Sequence, residues 1–169
     1  MARMQFKGIE EYIKYLEKIK KNTSKIVGKG VYEMAAVVAD QIKNNLKALP
    51  AVNDDYNIKA YNKGYKSKLS QRQKDGLIEG FGIAAMENEN GYLHVKLGFD
   101  GYNEVMTKKY PNGQPNVLVA RSVESGSSYM DKTPFVRPAV NASKDRAVER
   151  CKLVIDKELK AIEAGGLSE

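Results

Sequence analysis

The sequence has no tryptophan, a single histidine and a single cysteine. Cys151 alone cannot close an internal disulfide, and an unpaired cysteine fits a reducing compartment. With His94 as the only imidazole, the residues for a Cys/His zinc site are missing, and a Cys–His nucleophile would be a coincidence. Long apolar runs are also missing, far short of the ~20 residues needed to cross a membrane. Residues 1–20 alternate apolar and charged (Phe6, Lys7, Ile9, Glu10, Glu11), without the apolar core of a signal peptide. A protein made and kept in a cytoplasm is expected. Gly80-Phe81-Gly82 and Gly98…Gly101 lack both the following helix and the Gly-Lys-Ser/Thr of a phosphate loop. Glu10, Glu11, Glu87 and Glu89 sit among lysines or turn residues and are surface-type, with nothing to anchor a pair of carboxylates in a cleft. These absences predict a protein that is not an enzyme, with no catalytic residue, cofactor, metal or small-molecule substrate.

What is present is a globular composition, 42% apolar and 29% charged, in 169 residues. That length suits one domain, residues 1–169, able to bury a core without a metal or disulfide staple. Lys and Arg outnumber Asp and Glu by 28 to 21, for a formal charge of +7. An excess of this sign favours nucleic acid, an anionic surface or acidic protein partners, and says nothing about fold.

Ile9, Tyr12, Ile13, Leu16 and Ile19 have the spacing of an amphipathic helix over 9–20, followed by possible breakers or caps at Asn22, Thr23 and Ser24. Val27, Val31, Met34, Val38, Ile42, Leu46 and Leu49 mark a second helix over 25–49, ended by Pro50. Phe81, Ile83 and Ala85, then Leu93, Val95, Leu97 and Phe99, switch to period two around Asn90-Gly91. This predicts an antiparallel hairpin of strands 78–86 and 92–99. Residues 100–115 read as loop. A short helix over 117–124 could be capped by Asn116 and stopped by Gly126, with a strand as the alternative. Pro138 opens a last helix through Ala147, Cys151, Ile155 and Ile162, stopped by Gly165-Gly166. The expected class is α+β, two N-terminal helices and a C-terminal helix packed on a small antiparallel β-sheet.

Residues 50–75 lose apolar periodicity and read as a basic, flexible loop. In it Tyr56, Tyr61 and Tyr65 interleave with Lys59, Lys63, Lys66, Lys68, Arg72 and Lys74. Aromatic faces for stacking and cations for phosphates are the chemistry of single-strand binding, so these residues are a candidate DNA- or partner-facing surface. The plainer reading is a solvated loop kept soluble by its charge.

The C-terminal half carries the most specific pattern. Val117-Leu-Val-Ala-Arg-Ser-Val-Glu-Ser-Gly126 is followed by Thr133-Pro-Phe-Val-Arg-Pro-Ala139 and then the last helix. This resembles the tail-completion, or head–tail joining, proteins of long-tailed bacteriophages and prophages. Ala120, Val123, Glu124 and Gly126 match the first part of that family's signature, and Pro134, Phe135, Arg137, Pro138 and Ala139 the second. The family's Gly-Thr is here Gly126-Ser127. Gly76-Leu77 and Leu97-Gly98-Phe99 are similar to the steps that open and close its hairpin, and segment 50–75 is longer than the family pattern. The resemblance implies a structural virion protein at the tail neck, assembled in the host bacterial cytoplasm. It implies a ring of copies, a hexamer favoured, with tail-tube and head-connector proteins as partners. DNA would pass through the lumen with non-specific contact at most.

The residues of this motif also have a physical reading. Two prolines four apart fix φ at both ends of a short segment, and Phe135 between them is a core anchor. Arg137 at a helix start is disfavoured by the helix dipole and should have a carboxylate partner, for which Glu124 is the candidate. The main alternative function is a basic nucleic-acid-binding protein that uses the Tyr/Lys-rich segment 56–74.

Overall fold

The computed structural model describes residues 9–164. It is an α+β fold in which a long N-terminal helix, α1 (Ile9–Ala48), packs along a long C-terminal helix, α5 (Val136–Glu163). Between them in sequence lie α2 (Asp54–Asn62), α3 (Gln71–Gly80), α4 (Asn116–Ser125) and three two-stranded antiparallel ladders.

The expected division into two N-terminal helices is replaced by one continuous helix. Asn22 Nδ2 donates to Lys18 O at 2.8 Å, and Thr23 Oγ1 donates to Ile19 O at 2.8 Å. Both side chains thus bond back one turn within the helix instead of capping a new one. The face of α1 is also shifted from the expected large-residue stripe. Ile26, Ala35, Ala39, Ile42 and Leu46 are buried, whereas Val27, Val31, Met34 and Val38 are half-buried. Small residues sit inside because α5 comes close. A Cβ on Gly30 would stand 3.0 Å from both Cys151 Sγ and Ile155 Cγ1.

Segment 50–75, expected as an irregular loop, holds α2 and the start of α3. Asn53 caps α2, its Oδ1 accepting from Tyr56 N at 3.0 Å. Ser70 and Gln73 form a reciprocal capping box at the start of α3. Both caps were present as residue types, but lysines between them hid the short helices from a search for apolar period.

The hairpin is present with altered limits. Residues 78–80 complete α3, so the first strand, β1 (Phe81–Ile83), starts later than expected and pairs with β4 (Leu97–Phe99). Beyond them β2 (Glu87–Glu89) pairs with β3 (Tyr92–His94) about an Asn90-Gly91 turn whose φ values are +53° and +87°. Those angles fit the two-residue turn that Asn-Gly favours. Phe81 faces Phe99 in one ladder, while Glu87 faces His94 in the other. The register therefore slips by one residue between them, a bulge that separates the buried base from the exposed tip. Within the expected loop 100–115, β5 (Tyr102–Asn103) pairs with β6 (Gln114–Pro115).

The core gathers where these pieces meet: Ile42, Leu46, Leu77, Phe81, Val123 and Phe135, each 5% exposed or less. The predicted stop at Gly165-Gly166 lies outside the described residues.

Candidate functional site

The segment that joins α4 to α5 is built around one carboxylate. Helix α4 forms as expected and ends at Gly126, whose φ of +77° suits glycine. Asn116 is not its cap; it is the first helical residue and faces inward. From the last turn of α4, Glu124 reaches the start of α5. Its Oε2 accepts from Phe135 N at 2.7 Å and Val136 N at 2.8 Å, and its Oε1 accepts from Arg137 N at 3.0 Å. Three of the N–H groups that a helix start leaves without intrahelical partners are thereby satisfied by one side chain.

This corrects the expected pairing of Glu124 with the Arg137 guanidinium. The carboxylate is bound by backbone, and the Arg137 side chain lies on the surface. Burial alone would raise the Glu124 carboxyl pKa. The three backbone N–H bonds, helped by the Arg137 charge, outweigh it and hold the group below its ordinary 4.5.

Phe135 is the anchor its flanking prolines suggested. It is 1% exposed and meets Phe99 edge-on at 5.9 Å, and Phe99 in turn packs on Phe81 at 5.0 Å. Its carbonyl accepts from Asn45 Nδ2 at 3.1 Å, tying the joint to α1. Pro138 lies in the first turn of α5, two residues after the helix opens at Val136, where its missing N–H costs nothing. Thr133 N donates to Val123 O at 2.8 Å, closing the loop onto α4.

A second buried polar latch was not found from sequence. Asn116 Nδ2 donates to Gly76 O at 2.9 Å and Asp100 O at 2.8 Å, while Asn103 Nδ2 donates to Gln114 O at 2.9 Å. A Cβ at Gly76 would collide with Asn103, and one at Gly80 with the Asp100 carbonyl. The signal was available as two glycines four residues apart in a helix, but asparagine in a loop-like composition gives no hint of burial.

Several cations of the Tyr/Lys segment 56–74 are held by separate neighbours. Lys68 Nζ stands 5.3 Å over the Tyr56 ring, Arg72 pairs with Asp54 at 3.1 Å, and Lys66 pairs with Asp131 at 3.6 Å. Lys74 Nζ donates at 2.7 Å to both Lys47 O and Leu49 O, closing the C-terminal end of α1. Tyr61 and Tyr65 are exposed, as are Lys59 and Lys63. The segment is also tied down: Ala60, Leu69, Ser70 and Gln73 are buried, and Ser67 N donates to Tyr129 O at 2.7 Å.

His94 is half-buried. Its Nε2 lies 3.1 Å from Glu87 Oε2, and the same oxygen accepts from Lys96 Nζ at 2.7 Å. The hydrogen bond and charge of Lys96, with His94 adding to both, lower the Glu87 pKa. Glu87, Glu89 and His94 bring their ligand atoms within 4.8 Å of one another. They are a poor cation site, because Lys96 already occupies the Glu87 carboxylate. His94 Nδ1 is also sealed without a hydrogen-bond partner, where a metal-bound imidazole needs one.

The hollow beside the joint, about 290 Å³, is lined by Leu49, Val52, Leu69, Val123 and Met130, with Lys68, Asp131 and Thr133 as its polar contributors. That lining offers no nucleophile–base pair. No helix among the described residues is long and apolar enough to cross a membrane. Comparisons with protein-family models, curated proteins and solved structures find no match to this chain.

Proposed function

We propose that this chain is a structural assembly protein, a head–tail joining or tail-completion component that forms a ring at the neck of a phage or prophage tail. One observation carries the reading: the residues that give the family resemblance act together as a single joint. Glu124 caps α5 through three N–H groups, Gly126 turns the chain, and Phe135 fixes the joint in the core. A rigid joint between two helices suits a subunit whose work is to hold shape against its neighbours. Ring closure then needs two different surfaces on each copy, related by a rotation that closes, with a hexamer favoured. Tail-tube and head-connector proteins are the expected partners. The role belongs in the virion neck, after assembly in the bacterial cytoplasm, and needs no catalysis.

The alternative, nucleic-acid binding through the Tyr/Lys segment, has weaker support. Four of its cations are already held by Tyr56, Asp54, Asp131 or the carbonyls that end α1. Light scattering over a wide concentration range, at two salt concentrations and with or without short DNA, separates the two. Growth toward a defined multimer regardless of DNA is expected. A monomer at every concentration that shifts only with DNA at low salt, and stops doing so in a Lys59→Ala/Tyr61→Ala/Lys63→Ala/Tyr65→Ala variant, would favour the alternative.

A further inference from the structure

The face of α1 that receives α5 continues past the end of α5. Cross-contacts run antiparallel along the pair, from Asn45 with Phe135, through Glu33 with Arg150, to Lys29 with Glu158. Continued at that slope, the last turn of α5 at Ile162 falls near Ile26, and both residues are buried. The N-terminal turns of α1 therefore extend beyond α5, for about 24 Å at 1.5 Å per residue. Buried side chains begin at Ile26, and before it Tyr12, Ile13 and Leu16 are 61%, 47% and 46% exposed.

Tyr12, Leu16 and Ile19 fall in the same row as Ile26 and Gly30, since their spacing follows the steps of three and four that keep one helix face. The exposed stripe is thus a continuation of a helix-binding surface.

Charge narrows what can cover it. From Tyr12 to Lys25 the helix carries Lys14, Lys18, Lys20, Lys21 and Lys25 against Glu17, and counting Glu10 and Glu11 leaves it basic. None of these lysines has an acidic partner within ion-pair distance among the described residues. A second copy's projecting turns would bring the same lysines and repel.

We infer that the projecting turns of α1 are a docking surface for an amphipathic helix with acidic flanks on a different protein, laid along the stripe in place of α5. The surface is argued independently of the neck reading and holds whether or not the chain forms rings.

Fluorescence anisotropy with the full chain tests it, using a labelled synthetic amphipathic helix whose leucine stripe is flanked by glutamates. The control is the same peptide with lysine flanks. The glutamate peptide should bind, more weakly as salt rises, and Ile13→Glu/Leu16→Glu should lower affinity at least about tenfold, the loss expected when two apolar contacts are removed. That variant keeps the wild-type melting temperature, because neither residue is in the core. Equal binding of both peptides, or of neither, overturns the inference. So does self-association of the wild type that the variant abolishes, or binding confined to vesicles of anionic phospholipid.

Discussion

Residues 117–139 and 50–75 both stand out in the sequence, one for spaced prolines around a phenylalanine, the other for tyrosines among cations. Their structures differ in kind. In the first, polar and apolar groups converge: one carboxylate binds three N–H groups, and one aromatic ring seals the core beneath them. In the second, four of the six cations find separate neighbours: Lys68 a ring, Arg72 and Lys66 different carboxylates, Lys74 two carbonyls. Convergence makes the first segment a joint. Dispersal makes the second a folded, well-solvated flank. A run of like charge identifies a surface, while a spaced set of conformationally restricted residues identifies a piece of architecture.

Substitutions should expose this contrast. Phe135→Ala removes a fully buried ring and should cost about 3–5 kcal/mol in denaturant unfolding. A cost under about 1 kcal/mol would mean the joint is not seated in the core. Glu124→Gln leaves the side-chain shape but weakens the cap, and about 1–2 kcal/mol is expected.

The pH dependence of Glu124 follows from its sign. The folded carboxyl lies below its ordinary 4.5, so its contribution is present above that value and is lost as pH falls through the lower, folded value. Acid titration of stability should therefore be shallower in Glu124→Gln than in wild type. Adding Arg137→Ala to Glu124→Ala should produce only a small coupling, because the direct contact is to the Arg137 backbone and the guanidinium acts through its charge alone.

Lys74→Met, which leaves the last carbonyls of α1 without their shared donor, should cost about 1 kcal/mol. At the small end, Arg72→Ala and Lys66→Ala break exposed ion pairs and should each change stability by no more than about 0.5 kcal/mol. Effects on the scale of Phe135→Ala at either position would erase the contrast.

Much of this fold was legible from sequence, unevenly. Asn90-Gly91 marked its turn because only a few residues accept positive φ there. Helix α4 and its stop at Gly126 were readable for the same reason. The joint was legible as a motif but its chemistry was misassigned, since charge pairing suggests a guanidinium where an uncapped helix start offers three N–H groups. Two things were hidden. Asn22 and Thr23 are residue types that cap helices, yet here they bond back within one, and residue type alone does not decide between these uses. The Asn116–Asn103 latch depends on glycines at 76 and 80 admitting neighbouring backbone, a contact between segments distant in sequence.

The most direct test of the joint is amide hydrogen exchange at Phe135, Val136 and Arg137, compared between wild type and Glu124→Gln at neutral pH. The account predicts that all three amides are protected in wild type and lose protection together in the variant, while the amides of α2 stay unchanged. Equal exchange in both proteins at these three positions would contradict it.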